Sequence, residues 1–250
     1  MIKRKMTRLA EGTTVICALV SLQAQAAIAL DRTRVVVEGN QQSVSLSVSN
    51  ENTQLPYLAQ GWIEDTRGEK MQSPLAVLPP VQRIEPGSKS QIKIQVLQAA
   101  SLLAQDRETL YYFNLREIPP RTDKPNTLQL ALQTRIKLFY RPKALVPERG
   151  TAPWQEKLLL TRVGGRYQVN NPTPYYITLV EGAASVSGKA ASGFEPMMLA
   201  PYGQATLKPG VDVLGTSPVL TYINDFGGRP QLKFTCSSNR CMALPVKPKA

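Results

Sequence analysis

Between Thr127 and Pro142 the chain reads TLQLALQTRIKLFYRP. Alternate positions place Leu128, Leu130, Leu132, Thr134, Ile136, Leu138 and Tyr140 on one face. Gln129, Ala131, Gln133, Arg135, Lys137, Phe139 and Arg141 fall on the other. A two-residue period sustained this far predicts a β-strand, and no Pro or Gly breaks it before Pro142. At about 3.3 Å per residue the alternation would span roughly 45 Å, where a usual strand has about five or six residues. Such a strand requires a β-fold around it. At a sheet edge it would invite pairing with another chain, so pairing is here read as a possible function.

The rest of the chain has the same style. SVSLSVSN alternates at Val44, Leu46 and Val48, and QIKIQV at Ile92, Ile94 and Val96. ETLYYFNLREIPP is an aromatic strand closed by Pro119 and Pro120. Turns are marked at Glu38–Gly39–Asn40, Thr66–Arg67–Gly68 and Glu85–Pro86–Gly87. Only LQAASLLAQDRETL has a helical look. Further strands are predicted over Lys157–Arg162, Arg166–Asn170, Tyr175–Val180, Ala205–Lys208, Val219–Asn224 and Gln231–Cys236. RPKALVPERGTAP, with Pro142, Pro147, Gly150 and Pro153, reads as a hinge. The expectation is an all-β protein of two Ig-like β-sandwich domains, 27–145 and 150–250.

The N-terminus has the form of an export signal. Lys3, Arg4, Lys5 and Arg8 precede an apolar run from about Val15 to Leu22, and Ala24–Gln25–Ala26 offers a small-x-small cleavage site. Cleavage after Ala26 (signal 1–26) predicts a periplasmic protein; the apolar run is too short for a membrane span of about 20 residues. Cys17 would leave with the signal. Cys236 and Cys241 remain, and in an exported protein they predict one disulfide.

The formal charge is +12, from 30 Lys+Arg against 18 Asp+Glu, and there is no His. A His-dependent triad and a His-rich zinc site are therefore excluded. No P-loop, GxSxG, GxGxxG or metal-ligand cluster stands out, so the reading is non-enzymatic, without cofactor or metal. The basic charge raises polyanion binding, but export argues against nucleic acid, and most of the cations are dispersed. Arg34, in LDRTRVVVEG, and Lys137, in the long strand, stand apart. Periodicity alone makes them two exposed charges. Were their strands neighbours, both could enter one interdomain cleft and hold a carboxylate, Arg with a planar fork and Lys as a point charge.

LDRTRVVVEG, QLPYLAQGWIED, PPVQRIEPG, QDRETLYYFNLREIPP, TRIKLFYRP, NPTPYY and YINDFGGRP resemble, in order, the periplasmic chaperones of chaperone–usher pili. The resemblance covers essentially the whole chain after the signal. It implies two Ig-like domains in a boomerang arrangement, which bind pilin (fimbrial) subunits by donor-strand complementation and pass them to an outer-membrane usher. The long strand would be lent to the pilin, with Leu128, Leu130 and Leu132 entering its groove. Arg34 and Lys137 match the family's binding site for the pilin C-terminal carboxylate. Glu108, Arg141 and Asp225 match its interdomain ion pairs, and Cys236 and Cys241 its second-domain disulfide. Leu55–Pro56 and Leu78–Pro79–Pro80 are candidates for the usher-facing surface. The exposed edge would also allow self-association of the free chain. The alternatives are a two-domain adhesion or scaffold protein of a surface fibre, and a basic polyanion binder.

Overall fold

The computed structural model describes residues 26–123, 125–126 and 128–246. Apart from Ala26, the predicted signal lies outside the described residues. Alternating sequences become strands wherever they find partners. In the first half these are β1 (Ile28–Leu30), β2 (Arg34–Glu38), β3 (Ser43–Asn50), β4 (Tyr57–Glu64), β5 (Lys70–Met71), β6 (Leu75–Leu78), β7 (Val81–Ile84), β8 (Lys89–Val96), β9 (Thr109–Ile118) and β10 (Gln133–Arg141). They form two sheets, β1-β3-β8-β6 and β2-β10-β9-β4-β5, with β7 also on β4. Inward residues such as Leu46, Ile92, Ile94, Phe113 and Leu138 are completely buried between them. The helix-like stretch forms a 3₁₀ turn at Gln98–Leu102.

The second half contributes β11 (Leu159–Val163), β12 (Arg166–Asn170), β13 (Ile177–Ala183), β14 (Met197–Leu199), β15 (Gln204–Gly210), β16 (Val219–Ile223), β17 (Gln231–Ser237) and β18 (Arg240–Pro245). Their hydrogen-bonded order is β14-β13-β16-β17-β18-β11-β12-β15. A second core, including Leu160, Tyr167, Leu207, Leu220 and Phe234, fills this unit. The linker has no strand between Arg141 and Leu159. The Tyr175 hydroxyl donates to the Leu145 carbonyl at 2.7 Å, and the Trp154 ring stacks on Tyr175 at 4.4 Å. The hinge composition is thus pinned at both ends.

The structure corrects the long strand. Regular pairing covers only Gln133–Arg141, nine residues. The ladder with β9 begins at Gln133↔Arg116, and one more bond runs from the Glu117 N–H to the Leu132 carbonyl at 3.0 Å. Beyond Ile118 the partner strand becomes Pro119–Pro120, which has no N–H to donate. Leu128 and Leu130 therefore lie beyond the ladder and Leu132 at its end, and the three are 82%, 65% and 42% exposed. The alternating sequence is there, but a strand also needs a neighbour.

Cys236 and Cys241 are cross-strand partners of β17 and β18 and form a disulfide. A loop this short removes little chain entropy, worth about 2 kcal/mol. The double variant Cys236→Ala/Cys241→Ala is expected to lose about that much in denaturant titration. A loss confined to the second unit, with the near-UV signal of the first unchanged, is the predicted pattern.

Candidate interdomain site

β2 lies parallel to β10, with Arg34 directly opposite Lys137. This pairing of strands about a hundred residues apart puts two cations side by side on one face of the sheet. Arg34 is buried; its Nη1 donates to the Ile223 carbonyl across the interface at 3.3 Å. Its buried Nε has no hydrogen-bond partner among the described residues. Among the described residues the Lys137 ammonium reaches only the Thr178 hydroxyl, at 3.5 Å. Burial lowers the pKa of both groups. Asp225 and Glu108 partly offset this for Arg34, whereas Arg34 depresses Lys137 further.

Four residues along β10, Arg141 presents the opposite case. Its side chain is 2% exposed. Its Nε and Nη2 reach Glu108 Oε1, both at 2.8 Å, and Nη1 donates to Asp225 Oδ2 at 2.9 Å. The guanidinium also lies 4.6 Å from the Trp154 ring centre. Burial works against its charge, but Glu108 and Asp225 outweigh that and hold its pKa up. Burial also pushes the Glu108 carboxyl up, against the pull of Arg141 and the Tyr176 N–H.

The segment NPTPYY builds the second-domain wall. Asn171 is fully buried; its Oδ1 accepts from the Thr173 N–H at 3.1 Å, and its Nδ2 donates to the Tyr175 carbonyl at 2.7 Å. The loop so fixed delivers the Tyr176 N–H to Glu108 Oε2 at 2.8 Å. The Glu108 N–H donates back to the Pro174 carbonyl at 2.9 Å.

Arg34 and Lys137 are thus brought together, as are Glu108, Arg141 and Asp225. The three leucines lie upstream of β10, outside both clusters. Sequence reasoning gave no role to Thr178, the Ile223 carbonyl or the Tyr176 N–H. Backbone groups carry no residue signature, and Thr178 reads as an ordinary strand residue.

Two β-sandwich units are thus joined by a buried charge network, with a cation pair where the β2-side edge of β10 opens before Lys137. Two family models match the chain: the pili and flagellar-assembly chaperone PapD N-terminal domain over residues 27–146, and the pili assembly chaperone PapD C-terminal domain over 153–234. The chain is 49% identical over 225 residues to the chaperone protein PapD of Escherichia coli, covering 90% of this chain and 92% of that one. It is also 49% identical over 221 residues to the probable fimbrial chaperone YfcS of Escherichia coli strain K12, covering 88% and 87%. Among solved structures, the Pseudomonas aeruginosa CupB2 chaperone superposes with a TM-score of 0.69 at 32% identity, covering 84% of this chain and all of that one. The SafB chaperone complex with Salmonella enterica SafA pilin gives 0.66 at 27% identity, covering 88% and 96%. The chain belongs to the PapD family of pilus-assembly chaperones.

Two outcomes follow from this electrostatic arrangement. Arg141→Met leaves Glu108 buried without its cation and is expected to cost about 3–5 kcal/mol. Glu108→Gln keeps acceptor capacity and is expected to cost clearly less in the same denaturant titrations. Lys137 behaves in the opposite sense. Its folded pKa is depressed, so the charged lysine costs the fold stability below that pKa, and the cost fades as pH rises toward the ordinary lysine range. Lys137→Met should therefore raise the stability of the free chain at pH 7, and only modestly because the group is half exposed. A lower melting temperature for this variant would contradict the assignment.

Proposed function

We propose that this chain is a non-enzymatic periplasmic chaperone, exported with cleavage after Ala26, that binds pilin subunits and hands them to an outer-membrane usher. Its working units are 27–145 and 150–250. The observation that carries this reading is the position of the Arg34–Lys137 pair at the end of an open strand edge. β2 pairs with β10 only from Lys137 onward. Among the described strands none pairs with β10 on that side between Gln133 and Ile136.

A guest strand on this edge lies end to end with β2. With its C-terminal carboxylate at Arg34 and Lys137, its body extends back toward Leu128. The guest then runs parallel to β10. Main-chain hydrogen bonds supply affinity, and Leu128, Leu130 and Leu132, about 6.7 Å apart in extended chain, present one apolar face to its groove. A one-residue slip would turn that face away, so a charged anchor at the end has a physical purpose: it sets register. Each charge-assisted hydrogen bond contributes about 1.5–3 kcal/mol. The pilin-bound SafB structure supports such a partner by similarity. For the usher-facing surface, Leu55 and Leu78 are exposed beside Pro56 and Pro79.

The test is co-purification from periplasm of cells making the fibre subunits. The wild-type chain is expected to retain a one-to-one partner of pilin size. Arg34→Ala and Lys137→Ala should each lose it while keeping a native circular dichroism spectrum. Leu130→Glu should lose it with the cation pair intact. Normal pilin yields with either cation variant would refute the anchor.

A further inference from the structure

Phe226 is 96% exposed, the most exposed of the large hydrophobic side chains in the described residues. Burying a Phe side chain is ordinarily worth about 1.5–3 kcal/mol, so an aromatic ring kept in water forgoes a substantial gain. The ring stands on a well-fixed turn. Asn224 Oδ1 accepts from the Phe226 N–H at 3.1 Å and the Gly228 N–H at 2.8 Å. The backbone closes with Asn224 N–H to Gly228 carbonyl and Gly227 N–H to Asn224 carbonyl, both 3.0 Å. The next residue back, Asp225, is bound to Arg141. Gly227 has φ +83°, and a Cβ there would come within 2.9 Å of Thr33 Oγ1. The turn is therefore seated against the first domain just before β2 begins. Phe226 borders a cleft of about 430 Å³ whose lining is otherwise largely polar and charged, including Asp31, Arg32, Arg34, Glu38 and Asp225, so its ring is the cleft's one aromatic surface.

This inference rests on the carboxylate anchor proposed above and extends it. A guest strand collinear with β2 ends where β2 starts, beside Thr33 and Arg34. Its last side chain then meets the mouth of the cleft that Phe226 borders. We propose that Phe226 is a specificity-determining residue, which covers the side chain of the guest's C-terminal residue and favours an aromatic or large apolar one. Its ring gains burial only when that side chain arrives, so its contribution appears in the complex and not in the free fold. The cations read the carboxylate; Phe226 reads the residue that bears it.

The test uses synthetic alternating apolar–polar peptides ending in Phe or in Ser, each as free acid and as amide. Binding to the full mature chain is compared with binding to Phe226→Ser, a variant whose fully exposed position leaves the fold undisturbed. The wild type is expected to prefer the Phe-ended acid over the Ser-ended acid by about tenfold. In Phe226→Ser that preference should vanish while both acids still bind better than their amides. A preference of unchanged size in Phe226→Ser would overturn the proposal and leave the anchor standing. Equal binding of acids and amides to the wild type would overturn the anchor and this proposal with it.

Discussion

The buried guanidinium of Arg141 is the constraint on which the cleft depends. It ends β10, the strand between β2 and β9 in the first domain's larger sheet. Glu108, its partner, sits one residue before β9 begins, and Asp225 sits on the turn after β16. One side chain thus ties the two long strands of the first unit to a turn of the second. Breaking such a pair is costly because the partner left behind remains buried and charged. The cost also confers precision. With the end of β10 fixed against the second unit, Lys137 and Arg34 are held opposite Thr178 and Ile223. A cation pair on an unfixed interface would have no defined position relative to the second unit.

The open edge is also maintained by the sequence. On one side, Pro119 and Pro120 deny β9 the donors that would carry the ladder past Leu132. On the other, β2 begins only at Arg34. Glu117 then secures the end of the regular strand: its carboxylate accepts the Leu132 N–H at 3.4 Å and the Ile28 N–H at 3.0 Å. The leucines upstream of this clamp are left in solvent. Soluble proteins ordinarily blunt such edges with charge, bulges or cover. Here the hydrophobic alternation runs straight into the exposed segment, which suits a strand completed by another protein.

Much of the fold was legible from periodicity. Arg166–Asn170 is a strand over the span its alternation indicates, and β3, β8 and β9 follow the runs that suggested them. The misses have physical causes. β14 is three residues, too short to show a period. β18 has an irregular pattern, RCMALP, and is a strand because β17 and β11 lie on both sides of it. The long strand was over-read because alternation reports a side chain's preference and says nothing of whether a neighbour has N–H groups to offer. At the site, the charges of Arg34 and Lys137 were visible, but their adjacency was not. It comes from a parallel pairing of distant strands, which no local pattern encodes; the family resemblance supplied what spacing could not.

The charges in the cleft divide unequally. Arg34, Lys137 and Arg141 face Glu108 and Asp225. Both carboxylates are committed to Arg141, while Arg34 has one backbone carbonyl and Lys137 one hydroxyl. Had Asp225 turned to Arg34 instead, the cleft would be locally satisfied and closed to an anion, and Arg141 would lose half its support. As arranged, the interface network commits Glu108 and Asp225 to Arg141 and leaves Arg34 and Lys137 without a carboxylate partner among the described residues. On the proposed function, one arriving carboxylate would meet Arg34, which is already buried, and the half-exposed Lys137. In a site of low effective dielectric this raises the worth of the contact, because the desolvation cost was met when the chain folded and not when the guest binds. Burial disfavours the charged forms of Arg34 and Lys137 in the free protein, and on the proposed function a bound carboxylate would favour them again.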